Sequence, residues 1–263
     1  MRGCPVGVLT LTLPASPGPS LSLWEREKEE TLPMINLVAA ALVFILIHLL
    51  ISGTRLRDAA VATIGQGPYM GVFSLLSVAA LAWLIFAFGA ARNDPASMVL
   101  WTSAPALRWV QLVLQFLAFM LVVPGLATPN PTSVAQQGLL ERPDVARGML
   151  RITRHPFLWG VAIWAFGHLL VNGDTAGVVL FGSLLGLALF GTVSIDAKRK
   201  RALGQTWDGF ATQTSNVPFA AIVAGRQTLD LAEIGWWRLA VGIALYAVML
   251  FAHPYAFGVS PMP

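Results

Sequence analysis

The chain has 263 residues, of which 56% are hydrophobic and only 11% charged, and its mean hydropathy is +0.69. A water-soluble domain could not cover its surface with so few polar side chains, so composition excludes a soluble enzyme and points to an integral membrane protein. The single cysteine, Cys4, excludes a disulfide framework, a zinc cluster and thiol catalysis, and the net charge of +4 suits anionic lipid rather than nucleic acid.

Residues 1–33 are proline-rich and carry the mixed-charge run Glu25 to Glu30. They read as a disordered tail, or as sequence ahead of a true start at Met34. The apolar stretch Val6 to Leu13 is short for a secretory signal, although Arg2 and the small residues after Leu13 keep that alternative open. From Met34 onward, six apolar runs separated by charge, Pro or Gly predict helical spans at 35–53, 68–90, 105–127, 157–171, 175–194 and 236–252. A transmembrane barrel would show two-residue alternation instead. The expected fold class is therefore all-α: a bundle of six transmembrane helices occupying 34–258, followed by a short tail, 259–263. Asn172, Gly173 and Asp174 leave room only for a tight turn, which makes the fourth and fifth spans an antiparallel hairpin.

Arginines and lysines crowd the connections after spans one, three and five, among them Arg55, Arg57, Arg142, Arg147 and Lys198 to Arg201. Basic residues near span ends are retained in the cytoplasm, so this end is expected to be cytoplasmic and both termini non-cytoplasmic. Just before the fourth span, Val145, Met149 and Ile152 share one helical face and Arg147, Arg151 and Arg154 another, offset by about 200°. That pattern predicts a cytoplasmic amphipathic helix at the interface. It serves either as a surface anchor or to bring Arg151 or Arg154 to an anionic group of a cofactor or lipid. Pro156 then opens the span at a position where a missing N–H costs little, leaving His155 at the interface.

Two histidines lie inside apolar runs. Counting from the span ends, His48 falls about 18 Å below the non-cytoplasmic edge and His168 about 17 Å above the cytoplasmic one, levels within about 5 Å of each other. Each either bonds a neighbouring helix or, with its partner, ligates a metal. Two imidazoles with no acid inside the spans suit haem iron better than magnesium or calcium, and Trp159, Gly160, Trp164, Ala165 and Gly167 offer stacking faces and room. His155 and His253 fall near opposite interfaces and cannot meet.

Several stretches, in this order, resemble the NnrU family of bacterial membrane proteins and its relative, the haem-dependent cis-zeta-carotene isomerase family of plastids and cyanobacteria. They are Ile47-His48, Leu150 to Pro156, Trp164 to His168, Val217 to Ile222 with Gly225-Arg226-Gln227, and Phe251 to Pro254. The resemblance implies a haem b held between His48 and His168, with Arg154 and His155 toward a propionate. In the isomerases an alternative thiolate ligand stands three residues before the second histidine. Here that position is Ala165, which argues against the same ligand exchange. NnrU-like proteins are associated with nitrite and nitric oxide respiration in the bacterial inner membrane, so the implied partners are the lipid bilayer, an apolar small molecule or a diatomic gas, and a respiratory complex. A non-enzymatic assembly factor for such complexes is the alternative. A third family, the membrane methyltransferases of the isoprenylcysteine and phospholipid type, shares the Arg-His-Pro signature and a distal pattern like Leu203-Gly204, Trp207, Phe210 and Val217-Pro218. The cations Lys198 to Arg201, following Asp196, would repel its sulfonium cofactor.

Overall fold

A computed structural model describes residues 23–51, 54–133, 136–142 and 144–263. Cys4 and the expected tail up to residue 22 lie outside the described residues. The first apolar run forms α1 (Leu23–Leu46), which begins ahead of Met34 and continues as one π-helical turn, Ile47–Ile51. After α2 (Arg55–Ile64), N-capped by the Thr54 hydroxyl, come the long apolar helices α3 (Gln66–Arg92) and α4 (Pro105–Ala127). A 3₁₀ turn (Gln137–Glu141) and a single helical turn, α5 (Met149–Ile152), lead into α6 (Pro156–Val171) and α7 (Thr175–Leu203). Three short helices follow, α8 (Gln205–Gln213), α9 (Ala220–Val223) and α10 (Leu231–Ile234), before α11 (Trp236–Phe257) closes the bundle. Among the described residues the only β-type pairing is an isolated bridge between Val99 and Asp174.

Among the described residues, five stretches are long and apolar enough to cross a membrane: Leu32–Ile51, α3, α4, α7 and α11. Their outward side chains are exposed hydrophobics such as Leu75, Phe86 and Phe251, as lipid rather than water would require. The protein is a multi-pass, all-α membrane protein. The fourth run forms the shorter α6, whose 16 residues rise only about 24 Å against a core of ~30 Å.

The helices form a row. α6 packs between α4 and α7; α11 lies against α4, and α1 with α3 packs on the other side of α7. Apolar side chains of α1, α3 and α7, including Leu37, Ala41, Leu84 and Phe181, form the main core where those three helices meet. The α4–α6 contact depends on Gly160, since a Cβ there would stand 2.5 Å from Val122 Cγ2 and 3.0 Å from the Ala118 carbonyl. Small residues at such crossings let backbones approach where lipid provides no hydrophobic drive. The α6–α7 hairpin forms as expected. Asp174 caps α7 by accepting from the Gly177 N–H at 2.8 Å, and Gly173 O accepts from Leu100 and Trp101, tying in the α3–α4 connection.

The expected amphipathic helix is corrected. Only Met149–Ile152 is helical, and Met149, Leu150 and Ile152 are all buried, so the segment is packed into the protein. Gly148 stops the helix from extending backward: its φ of +57° belongs to a region that side chains avoid, and its N–H donates to Glu233 Oε2 at 2.8 Å. Thr153 is extended, so Arg151 and Arg154 leave the turn in different directions, toward different partners.

Candidate functional site

At the arginine-rich end, the chain from Ile152 to Pro156 is held on all sides. Arg154 N–H donates to Ser215 O at 2.9 Å, and its carbonyl accepts from Asn130 Nδ2 and Thr132 Oγ1. Phe219 N–H donates to Ile152 O at 2.8 Å; Phe219 itself sits at φ +66°, a left-handed conformation unusual for a side-chain-bearing residue. These bonds aim two side chains at one carboxylate. Arg154 Nε and Nη2 fork onto Asp196 at 3.0 and 2.5 Å, while His155 Nε2 donates to Asp196 Oδ1 at 2.7 Å. Asn216 Nδ2 adds a contact at 3.3 Å, and Trp207 flanks the guanidinium at 6.0 Å. Because an ionised carboxylate only accepts, the His155 proton facing it is on Nε2. Burial pushes the His155 imidazole toward its neutral form, opposed by the hydrogen bond and charge of Asp196.

Arg154 and His155, expected toward a propionate, are both engaged by Asp196, and His155, at the start of α6, is buried by its neighbours with only 2% of its surface exposed. Asp196 lies two residues beyond the end of the expected fifth span at residue 194, and so is not among the expected site residues. The available signal was α7's continuing helical run to Leu203, which carries this one acid into the protein beside the Arg-His pair. Arg151 is likewise engaged, forking onto Glu233 at 2.7 and 2.9 Å and donating to Gln227 Oε1.

The two intramembrane histidines lie elsewhere. His48 is in the π-helical turn, a feature frequent at functional sites, and its Nδ1 donates to Phe44 O at 2.8 Å. His168 Nδ1 donates to Trp164 O, also at 2.8 Å, and its ring stacks on Phe181 with centroids 4.8 Å apart. In both, a carbonyl at Nδ1 leaves the Nε2 lone pair available, a tautomer suited to metal ligation through Nε2. Beside His168, Gly167 makes room for Gln111, whose buried Oε1 has no hydrogen-bond partner among the described residues. His253, near the end of α11, lies within electrostatic reach of the His168 ring.

The rings, however, occupy different levels. His48 contacts Phe73 of α3, whereas Phe181, against which His168 stacks, contacts Phe88 of the same helix. Those two α3 positions are separated by about 22 Å of helix rise. The expected depth match of about 5 Å gives way to this larger offset, because the hairpin turn comes soon after His168 while His48 lies toward the other end of α1. Among the described residues no group of three or more His, Cys, Asp or Glu is placed to hold a metal ion.

Comparison with known proteins adds the ancestry of this arrangement. The model of the family described as NnrU protein matches residues 36–261, which takes in most of the first crossing stretch, all of the others and both histidines. The chain is similar to the chloroplastic 15-cis-zeta-carotene isomerase of Arabidopsis thaliana, 28% identical over 235 residues, covering 87% of this chain and 62% of that one. It is similar also to the enzyme of the same name from Zea mays, 28% identical over 204 residues, covering 74% and 52%. The chain thus spans between half and two thirds of the length of these relatives. No solved structure matches.

Proposed function

The chain belongs to the NnrU family, and on that premise we propose that it is an isomerase-like membrane protein acting on a long apolar substrate reached from within the lipid. What carries the reading is the similarity to two 15-cis-zeta-carotene isomerases across most of this chain. A carotenoid-like molecule dissolves in the bilayer, and a row of helices with exposed apolar faces lets it approach sideways. In this reading α6 is the sixth crossing, the arginine-rich end faces the cytoplasm of a bacterial cell, and both termini lie outside.

Haem b is the cofactor this reading takes, and His168 is the residue that would hold it, supplying Nε2 while Phe181 fixes the plane of the imidazole. Bound there, the group would supply a redox-active iron in an apolar setting. His48 has the same tautomer but lies beside a different part of α3 from His168, so His168 alone would hold the group, and Arg154 and His155 are engaged by Asp196. The test is the absorption spectrum of detergent-purified protein expressed with a haem supply. A Soret band that disappears in His168→Ala and persists in His48→Ala is expected. A colourless wild-type protein overturns the haem reading, and loss of the band in both variants overturns the one-sided assignment.

Ala165 favours a second reading, an accessory role in nitrogen-oxide respiration. It is fully buried at the position where the resemblance places an alternative thiolate ligand, so this chain has only a methyl group there. Deleting the gene and assaying nitric oxide reduction separates this role from isomerisation. Methyl transfer is disfavoured, since Asp196 is already neutralised by Arg154.

A further inference from the structure

At the arginine-rich end, a pocket of about 310 Å³ opens between the end of α4 (Thr128, Pro129), the segment holding Arg142, Arg147 and Gly148, and the start of α11 at Arg238. A second cavity adjoins it, lined by Arg147, Arg151 and Glu233 among others. Four guanidinium groups therefore surround the pair of cavities, against the carboxylates of Asp144 and Glu233. Each carboxylate already has a partner: Asp144 pairs with Arg147 at 3.1 Å, and Glu233 takes Arg151 at 2.7 Å. Arg142 and Arg238 are left in excess. Arg238 gives Nη1 to Ile234 O at 2.7 Å, yet its Nε is buried with no hydrogen-bond partner among the described residues. Two guanidinium groups without a carboxylate partner leave the pocket with excess positive charge, which suits an anionic oxygen.

The pocket's position identifies the source of that oxygen. Two crossing helices, α4 and α11, end at its walls, and Trp236 and Trp237 beside it are 80% and 48% exposed. Exposed indoles at the end of a crossing helix mark the headgroup layer. We propose that this pocket binds the phosphate of an anionic membrane phospholipid, with Arg238 and Arg142 as its principal donors. The site is separate from the histidines and does not depend on the isomerase reading.

Titration of the detergent-purified full chain with phosphatidylglycerol, followed by native mass spectrometry, tests the assignment. One tight lipid per protein is expected, with the affinity falling about tenfold in Arg238→Gln, the effect of losing one charge-assisted hydrogen bond. Arg142→Gln, an exposed position whose variant folds even if Arg238→Gln does not, weakens binding in the same direction, whereas Arg92→Gln at the opposite end leaves it unchanged. Phosphatidylcholine and inorganic phosphate at equal concentration do not displace the lipid. Affinity unaltered in both Arg238→Gln and Arg142→Gln overturns the site. Displacement by inorganic phosphate overturns the lipid as its occupant.

Discussion

At the scale of single residues, the structure gathers a largely buried arginine and a buried histidine on one carboxylate. The side chains of Arg154 and Asp196 are only 12% and 19% exposed, and Asp196 also accepts from His155. A buried ion pair adds little net stability over an apolar replacement, but removing one partner strands the other. Asp196→Asn is therefore expected to cost about 3 kcal/mol, read as a drop in unfolding midpoint in detergent. Arg154→Gln should cost a comparable amount, and combining the two should cost less than their sum because they act on one interaction. Full additivity would show that Arg154 and Asp196 act independently. Arg154→Lys would not restore the wild-type midpoint, since a single ammonium cannot reproduce the two-pronged contact with Asp196.

At the scale of elements, the apolar runs were legible because lipid imposes a uniform demand on every crossing segment, and the α6–α7 hairpin because Asn172, Gly173 and Asp174 permit little else. The segment before α6 departs from its sequence pattern for a local reason: its helical periodicity is real, but Gly148 and Thr153 confine the helix to one turn. The site was half legible. Arg154, His155, His48 and His168 all stood out as residue types out of place in apolar surroundings. Their partners did not, since pairing with Asp196 depends on how far α7 extends, and the levels of the histidines depend on which helices touch. Gly160 looked like room for a flat ligand, but it is filled by α4. Gly160→Val should therefore separate α4 from α6 and cost about 1–3 kcal/mol, the usual penalty of overpacking a close contact. At Gly191, where a Cβ would meet only the end of the Leu158 side chain, at 3.5 and 3.9 Å, an alanine should be tolerated. Equal destabilisation by Gly160→Val and Gly191→Ala would show that the close approach at Gly160 is not special.

For the molecule as a whole, the question is what joins the outer helix α11 to the rest at the arginine-rich end. Glu233, just before α11, receives Arg151 Nε and Nη2 and the Gly148 N–H, so it binds the segment leading into α6 to the segment leading into α11. These donors hold its carboxyl down at about 2, from an ordinary value of 4.5. A carboxyl whose value is depressed by folding contributes stability that is complete above its unfolded value. That contribution is lost as pH falls through the interval down to the folded value. The wild-type unfolding midpoint should therefore fall from about pH 4.5 toward pH 2 more steeply than that of Glu233→Gln. The variant would be less stable at pH 7, and the two curves would converge in acid. Parallel curves across that interval would mean that the lock on Glu233 contributes nothing to the fold. Convergence would identify it as the clasp that keeps α11, and with it the Arg238 pocket, in place against the bundle.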